Sequence, residues 1–433
     1  MKKISNRALS VLLVAALVIF GMGAYIFKYI DHGKEWALYF SRANSGSTGL
    51  LVDKNGIMLA SFSGVENLFS PDELTREANY HVTGDYWGRT GTGIISRYME
   101  DVQDFSLLTG TTRREDSILT LNIDARLNNK IFETMGESSS GAMLVCNYRT
   151  GELLGMVSTP SVDPLDAEAE LGEGAYINRC ISASFTPGSI FKLITAAAAL
   201  ECIPDIHSRS FYCEGEYEIA GVPVTCLAPH YNQSFTEALS NSCNVAFAQL
   251  AVSLGQDTMI KYVRDYGLLS CHSLDGISTV AGSYPLEFVG DPELGWSGIG
   301  QSTDMVCPYA MLRFVSAVAN GGTLHEPHMI QGRGTVLTEL VKPTTAAALT
   351  EMMSYTAQEH YAAEELFPGL DICAKTGTAE LGDGTAHSWF VGFLQDEEHP
   401  YAFVTLVERG GFGITAAGYA TAEVLQWAVE NLE

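Results

Sequence analysis

An unbroken apolar run, "ALSVLLVAALVIFGMGAYIF", occupies Ala8 to Phe27 directly behind Lys2, Lys3 and Arg7. About 20 such residues in a helix match the ~30 Å hydrocarbon core of a bilayer, where only a fully hydrogen-bonded backbone is tolerated. Positive charge ahead of the run predicts a cytoplasmic N-terminus and places everything after it outside the membrane. A cleaved signal peptide is the rival reading, because small residues at Gly21 to Ala24 offer a cleavage site. The run continues through Tyr25, Ile26 and Phe27, long for a signal core, which favours a retained single-pass anchor over residues 1–30. The remainder must therefore fold and act on the outer side of a cell membrane.

Charge narrows what it acts on. The chain carries 51 acidic and 25 basic residues. That balance argues against nucleic acid, whose phosphates are bound by Lys and Arg. Nine cysteines lie in the exported part. An odd count, with most of them in apolar segments, does not read as a disulfide framework.

Residues 31–116 read as a small structural module without a nucleophile or metal cluster. "GLLVDKNGIMLASF" predicts two strands around an Asn55-Gly56 turn, and "GIISRYMEDV" a short helix. From Ser117 the pattern changes. "ILTLNID" is strand-like, "ARLNNKIFETM" a helix, and "GAMLVCNYRTGELLGMVSTP" a strand, turn and strand. Helices dominate 234–267 and recur at 305–320 and 344–360. "LDICAKTGTAE", "HSWFVGFLQ" and "YAFVTLVERG" predict three consecutive strands, closed by a helix near 414–431. Strands at both ends of a helical middle imply an α+β fold, an antiparallel sheet flanked by helices with an all-helical subdomain, over 117–433.

Three short motifs carry chemistry. In "FTPGSIFK", Ser189 and Lys192 stand one helical turn apart and share a face. Pro187 and Gly188 mark the helix start, so unpaired first-turn N–H groups and the positive dipole end fall at Ser189. A serine hydroxyl needs an adjacent base, and burial makes lysine one by lowering its pKa. In Ser242-Cys243-Asn244 a hydroxyl can relay a proton, and an amide can bind a carbonyl or hold the lysine. In Lys375-Thr376-Gly377-Thr378, at a predicted strand end, the ammonium and hydroxyls suit a carboxylate and the glycine admits a ligand close to the backbone. A strand edge there offers main-chain groups to an extended peptide. Singly, each motif is commonplace.

Together and in this order they resemble the signature of class B penicillin-binding proteins, of the short, penicillin-binding protein A-like type. The resemblance covers 117–433 and includes "PGSIFKLITAAAALE", "SCNVAFAQLA", "GIGQ" (298–301), "KTGTAE" and "HSWFVGF". It departs at Thr48, where an Arg commonly precedes the glycine, and at Ile95, where a Glu is common. What it implies is a peptidoglycan D,D-transpeptidase acting on stem peptides ending in D-Ala-D-Ala. Ser189 would be the nucleophile and Lys192 its base. Ser242 would pass a proton to the leaving D-Ala, and Asn244 would orient the peptide. Lys375, Thr376 and Thr378 would hold the terminal carboxylate beside Gly377. The N–H groups of Ser189 and Thr378 would bind the oxyanion, each donor of this kind being worth ~10²–10³ in rate. β-Lactams would acylate the same serine, no cofactor is required, and a polytopic glycan polymerase is the expected membrane partner.

The rivals on this scaffold are a serine β-lactamase and a β-lactam-sensing protein, with D,D-carboxypeptidase activity as a variant of the same acyl transfer. A class A lactamase needs a deacylating Glu in a Glu-x-x-Leu-Asn element, which the chain lacks. A sensor would signal through a cytoplasmic or metalloprotease part, but few residues precede the anchor and there is no His-Glu-x-x-His.

One further set stands beside the second motif. Cys213 and Cys226 flank a predicted hairpin, "GEYEIAGVPVT", whose closure would bring them together. His230 follows, and Cys243 is the middle residue of Ser242-Cys243-Asn244. Three thiolates and an imidazole make a closed tetrahedral zinc set, with bonds near ~2.3 Å to sulfur and ~2.0 Å to nitrogen. The resemblance adds that some class B relatives carry zinc there. The alternatives are a Cys213–Cys226 disulfide, in keeping with export, or buried thiols.

Overall fold

The computed structural model describes residues 2–44, 49–63, 66–86, 88–106, 110–113, 117–136, 139–166, 172–285, 290–334 and 336–432. They form two compact units. The first comprises 1–51, 60–68 and 98–118, the second 52–59, 69–97 and 119–433. The first unit begins with a helix, Lys2–Asn44. Its segment Arg7–Ile30 has a mean hydropathy of 2.4 and no buried side chains, long and apolar enough to cross a membrane. The expected N-terminal hairpin forms: Gly49–Val52 and Met58–Ser63 are neighbours in one sheet. Gly56 turns the chain at φ +81, its N–H donating to Asp53 O at 3.1 Å. The short helix is Ile94–Val102, with Ile95 fully buried. Thr48 lies outside the described residues.

In the second unit, helix α1 (Ala125–Met135) is followed by strands β1 (Gly141–Asn147) and β2 (Leu153–Thr159). A 3₁₀ turn, Gly188–Phe191, runs into α2 (Lys192–Cys202). Then come β3 (Ser210–Cys213), β4 (Glu216–Ile219), β5 (Val222–Thr225) and β6 (Tyr231–Ser234). Helices α3 (Phe235–Ser240), α4 (Asn244–Leu254), α5 (Gln256–Asp265), α6 (Pro308–Ala319) and α7 (Pro343–His360) follow. Strands β7 (Ile372–Glu380), β8 (Ala386–Leu394) and β9 (Tyr401–Val407) and helix α8 (Tyr419–Asn431) complete it.

The antiparallel sheet has the order β7-β8-β9-β1-β2, so the two ends of the unit's sequence build one layer. Its strands are nearly continuous apolar runs rather than alternating ones. β2, "LLGMVST", is buried at every position, which requires cover on both faces. On one face α1 and α8 supply Leu127, Ile131, Phe132, Val424 and Leu425 to a core with Phe390 and Phe403. Each such side chain, fully buried, contributes about 1.5–3 kcal/mol. α6 covers the other face. The alanines of α2 let α4 and α7 approach closely, and Lys192 through Ala199 are all buried. That is the helical subdomain, and it sets the start of α2 against the outermost strand, β7.

The terminal helix starts later than its sequence pattern predicts, after a widened turn at Ile414–Gly418. Ser388 Oγ accepts from Ala417 N–H at 3.0 Å, inserting into the backbone ladder there.

Candidate active site

Glycines bring α2 and β7 together. Gly188, at φ +55, opens the turn that carries Ser189, and a Cβ on it would stand 2.7 Å from Thr378 O. On the other side Gly188 N–H donates to Gly300 O at 2.9 Å. A Cβ on Gly300 would lie 2.2 Å from Gly188 O. Thr195 Oγ1 donates to Gly298 O at 2.7 Å, fixing "GIGQ" along the flank of the helix. Gly377 completes the approach, because a Cβ there would meet Pro187 O at 2.8 Å.

Lys192 is fully buried. Its Nζ lies 3.0 Å from Ser189 Oγ, 3.1 Å from Ser242 Oγ, 2.7 Å from Ser242 O and 2.6 Å from Asn244 Oδ1. The two carbonyl oxygens can only accept hydrogen bonds. A neutral amine satisfies both with its two hydrogens and keeps its lone pair for a hydroxyl. Burial drives Lys192 toward that state, lowering its pKa from 10.5 to about 7, against the opposing influence of Cys226 and Cys243. Lys375, also fully buried, is pushed well below the ordinary lysine range by desolvation and then by the nearby Lys192. It reaches Ser242 Oγ at 3.1 Å and Thr376 O at 3.1 Å. Ser242 Oγ thus sits between two amines.

Ser242 holds this place at a backbone cost. It adopts φ +52, the left-handed region that disfavours a side chain. The kink separates α3 from α4, and Cys243 caps α4, its Sγ accepting from Ala246 N–H at 3.4 Å. Asn244 Nδ2 donates to Thr225 O at 2.8 Å, which aims its amide oxygen at Lys192.

β7 is an edge strand, paired only with β8. Thr378 O faces Gly188, and a strand residue points its N–H and C=O to the same side. The Thr378 N–H therefore faces away from β8, toward the turn that carries Ser189. A cleft of about 340 Å³ opens here, lined by Ser189, Ser242, Asn244, Thr376, Thr378 and Tyr361 among others. A serine hydroxyl against a neutral amine, beside converging N–H groups and an open strand edge, is equipped for acyl transfer through an ester.

The cysteine set assembles as its spacing predicts. β4 and β5 pair from Glu216↔Thr225 to Ile219↔Val222. β6, which the sequence does not announce, pairs with β3 and sets Tyr231 opposite Cys213. Sγ of Cys213 lies 3.8 Å from that of Cys226, and Cys226 3.9 Å from Cys243. With His230, the ligand atoms all fall within 4.8 Å of one another. The disulfide alternative is not formed, as all three thiols are free. His230 Nδ1 is buried with no hydrogen-bond partner among the described residues. Cys226 is held below the ordinary thiol range by a hydrogen bond from Cys243, with the backbone N–H groups of Val245 and Asn244 adding to it.

Some contributors escaped the motif reading. Tyr361 holds Thr376, and Gly413 N–H donates to Thr378 Oγ1 at 3.2 Å. Trp389 Nε1 donates to Thr186 O at 2.9 Å, tying β8 to the segment before Ser189. "HSWFVGF" hinted at the last. Neither Tyr361 nor Gly413 lies in a recognisable pattern.

Comparison with known proteins agrees with this architecture. The family model for the penicillin-binding protein transpeptidase domain matches residues 141–428. The peptidoglycan D,D-transpeptidase PbpA of Mycobacterium tuberculosis is 29% identical over 359 residues, covering 71% of each chain. PbpA of Mycolicibacterium smegmatis is 29% identical over 327 residues, and there the match spans 65% of this chain and 64% of that one. Among solved structures, penicillin-binding protein A of M. tuberculosis superposes with a TM-score of 0.76 at 24% identity, covering 89% of this chain and 100% of that one. The chain belongs to the penicillin-binding protein transpeptidase family, as a class B member of the PbpA-like type.

Proposed function

We propose that the protein is a peptidoglycan D,D-transpeptidase that cross-links stem peptides through an acyl ester on Ser189. The observation that carries this reading is the position of Lys192 Nζ, in reach of Ser189 Oγ at 3.0 Å and Ser242 Oγ at 3.1 Å. As Ser189 Oγ bonds to the penultimate carbonyl carbon, its proton passes to neutral Lys192. The oxyanion forms between the N–H groups of Ser189 and Thr378, which act without reorganising. Collapse breaks the C–N bond, and the leaving D-Ala amine takes the proton from Lys192 through Ser242. Asn244 orients the donor peptide along β7, while Lys375, Thr376 and Thr378 receive its terminal carboxylate beside Gly377. An amine of a second stem then attacks the ester carbon and gives its proton to Lys192, which passes it to Ser189 Oγ as the C–O bond breaks, restoring the free serine. In a β-lactam the broken C–N bond lies in a ring, so the leaving group stays tethered and the ester persists.

The same reading assigns residues 1–30 to a single-pass anchor with a cytoplasmic N-terminus, 31–116 to a small module and 117–433 to the extracytoplasmic transpeptidase domain. By sequence, residues 31–116 are too few for a glycosyltransferase domain and show no paired catalytic carboxylates in a helical setting, so this reading assigns the glycan strands to a separate polytopic polymerase. Cys213, Cys226, His230 and Cys243 would hold a zinc ion. A tetrahedral ion with Zn–S bonds of ~2.3 Å sets its sulfurs ~3.8 Å apart, and the two close pairs stand at 3.8 and 3.9 Å. Bound there, zinc supplies structural cross-linking of β3, β5 and the start of α4, and no chemistry of acyl transfer. These four residues thereby keep Ser242 and Asn244, which flank Cys243, in place.

Mass spectrometry after penicillin treatment tests the central assignment. A persistent adduct on the Ser189 peptide, lost in Ser189→Ala, is the expected result. An adduct on another serine refutes it, and rapid turnover of the drug points to a β-lactamase.

A further inference from the structure

Two hydroxyls on β7 face the cleft, and what surrounds them decides which ligand they prefer. Thr376 N–H donates to Tyr361 Oη at 2.9 Å, and Tyr361 Oη lies 3.0 Å from Thr376 Oγ1. A backbone N–H can only donate, so the tyrosine oxygen is already an acceptor. Its one hydrogen has no other protein acceptor among the described residues, and Thr376 Oγ1 is the acceptor within reach at 3.0 Å, so we assign it there. The threonine hydroxyl is then occupied on its acceptor side, and its own hydrogen is left for the cleft. Thr378 is set the same way by a different donor, since Gly413 N–H points at its Oγ1 from 3.2 Å.

We propose that Tyr361 is a positioning residue that fixes Thr376 as a hydrogen-bond donor, making the end of the cleft selective for a carboxylate over a neutral carbonyl group. The inference rests on the transpeptidase reading and adds to it a determinant outside the three motifs. Tyr361 is suited to the task. It caps the C-terminus of α7, it is buried, and its ring packs edge-on against Phe390 with centroids 5.6 Å apart. Rotation of the hydroxyl away from Thr376 would give up the one protein acceptor within its reach among the described residues. Burial pushes the phenol up to about 12, so it keeps the proton it donates. A carboxylate offers only acceptors and meets two hydroxyl hydrogens. An ester in the same place loses the charge that strengthens such bonds.

The test compares acylation of Ser189 in the full-length, detergent-solubilised protein by benzylpenicillin and by its methyl ester. Both rates are read on one preparation, so any loss of folded protein cancels from their ratio. Wild type is expected to favour the acid, and Tyr361→Phe to lower the acid-to-ester ratio roughly tenfold or more, the scale of one hydrogen bond to a charged group. The ester rate should change little. Thr376→Val, which leaves Tyr361 intact, should cause a similar loss, and Tyr361→Phe added to it should lower the ratio no further. An unchanged ratio in Tyr361→Phe or in Thr376→Val overturns the inference, as does an equal fall of both rates. Wild-type protein acylated by neither probe refutes the transpeptidase reading itself, and the inference falls with it.

Discussion

The strongest demand that the geometry makes is that Lys192 works as a free base near neutral pH. An ordinary lysine, with a pKa of 10.5, would be neutral in only about one molecule in three thousand at pH 7. Lowered to about 7 by burial, Lys192 is neutral in about half. Acylation by benzylpenicillin should therefore follow the neutral fraction, rising about tenfold from pH 6 to pH 8 and levelling above that. The probe is well chosen, because its carboxylate stays ionised throughout. Stopped-flow measurement of the second-order acylation constant across this range reads the rise directly. Lys192→Arg keeps a positive charge that cannot be removed. It should lower the rate about 10²–10⁴-fold, the usual worth of a general base. A flat profile between pH 6 and 8 in the wild type, or a rate that falls as pH rises, would refute the assignment.

The same shift has a consequence for stability, with a definite sign. Below about pH 7 both folded and unfolded chains protonate Lys192, and the folded state carries the full cost of burying the charge. Between about 7 and the ordinary 10.5 the unfolded chain binds a proton that the folded one does not, so this residue's share of stability rises with pH. Lys192→Met should abolish that part of the slope in denaturant titrations.

Three further outcomes are expected. Gly300→Ala forces a Cβ to within 2.2 Å of Gly188 O at a φ of +76, so it should cost about 1–3 kcal/mol or more in unfolding free energy and weaken acylation by displacing Ser189. Metal analysis of protein purified without chelator should find one zinc per chain, lost together with thermal stability in Cys213→Ser; a metal-free protein with unchanged stability in that variant refutes the site. Purified protein given lipid-linked precursor without a partner should make no glycan strands, and strands appearing in a gel assay would overturn the division of labour with a polymerase.

How much of this was legible in the residues follows from the range of the forces involved. Ser189 and Lys192 could be paired on paper because one helical turn fixes their relation locally. Cys213 and Cys226 could be paired because the hairpin between them closes over a short loop. The three late strands and α6 announced themselves by sustained apolar runs, whose burial needs no particular partner. Polar pairing over long separations left no such trace. β6, "YNQS", has no strand pattern of its own and exists because Ser210–Cys213 offers it a ladder. Residues 69–97 read as part of the separate N-terminal module, yet belong to the second compact unit. Beside the apolar packing of Ala78 and Tyr80, polar pairs tie them in: Asn128 Nδ2 donates to Asn79 Oδ1 at 2.8 Å, and Arg76 pairs with Asp163 at 2.6 Å.

The site shows the same division. Its reactive groups were visible because chemistry restricts their identity to a few residue types. The groups that aim them were not. Ser242 gives no hint of its φ of +52, since serine is not a residue that usually turns left-handed. Gly300 and Gly413 are two glycines among 42, distinguished only by what a Cβ would strike. Tyr361 reads as an ordinary aromatic closing a helix. Its importance lies in which lone pair of Thr376 it occupies, and a hydrogen-bond direction is a property of neighbours in space. A motif names the atoms that react. The surroundings of Lys192 and of Thr376, which bear on whether those atoms react and with what, include residues from 15 to more than 50 positions away.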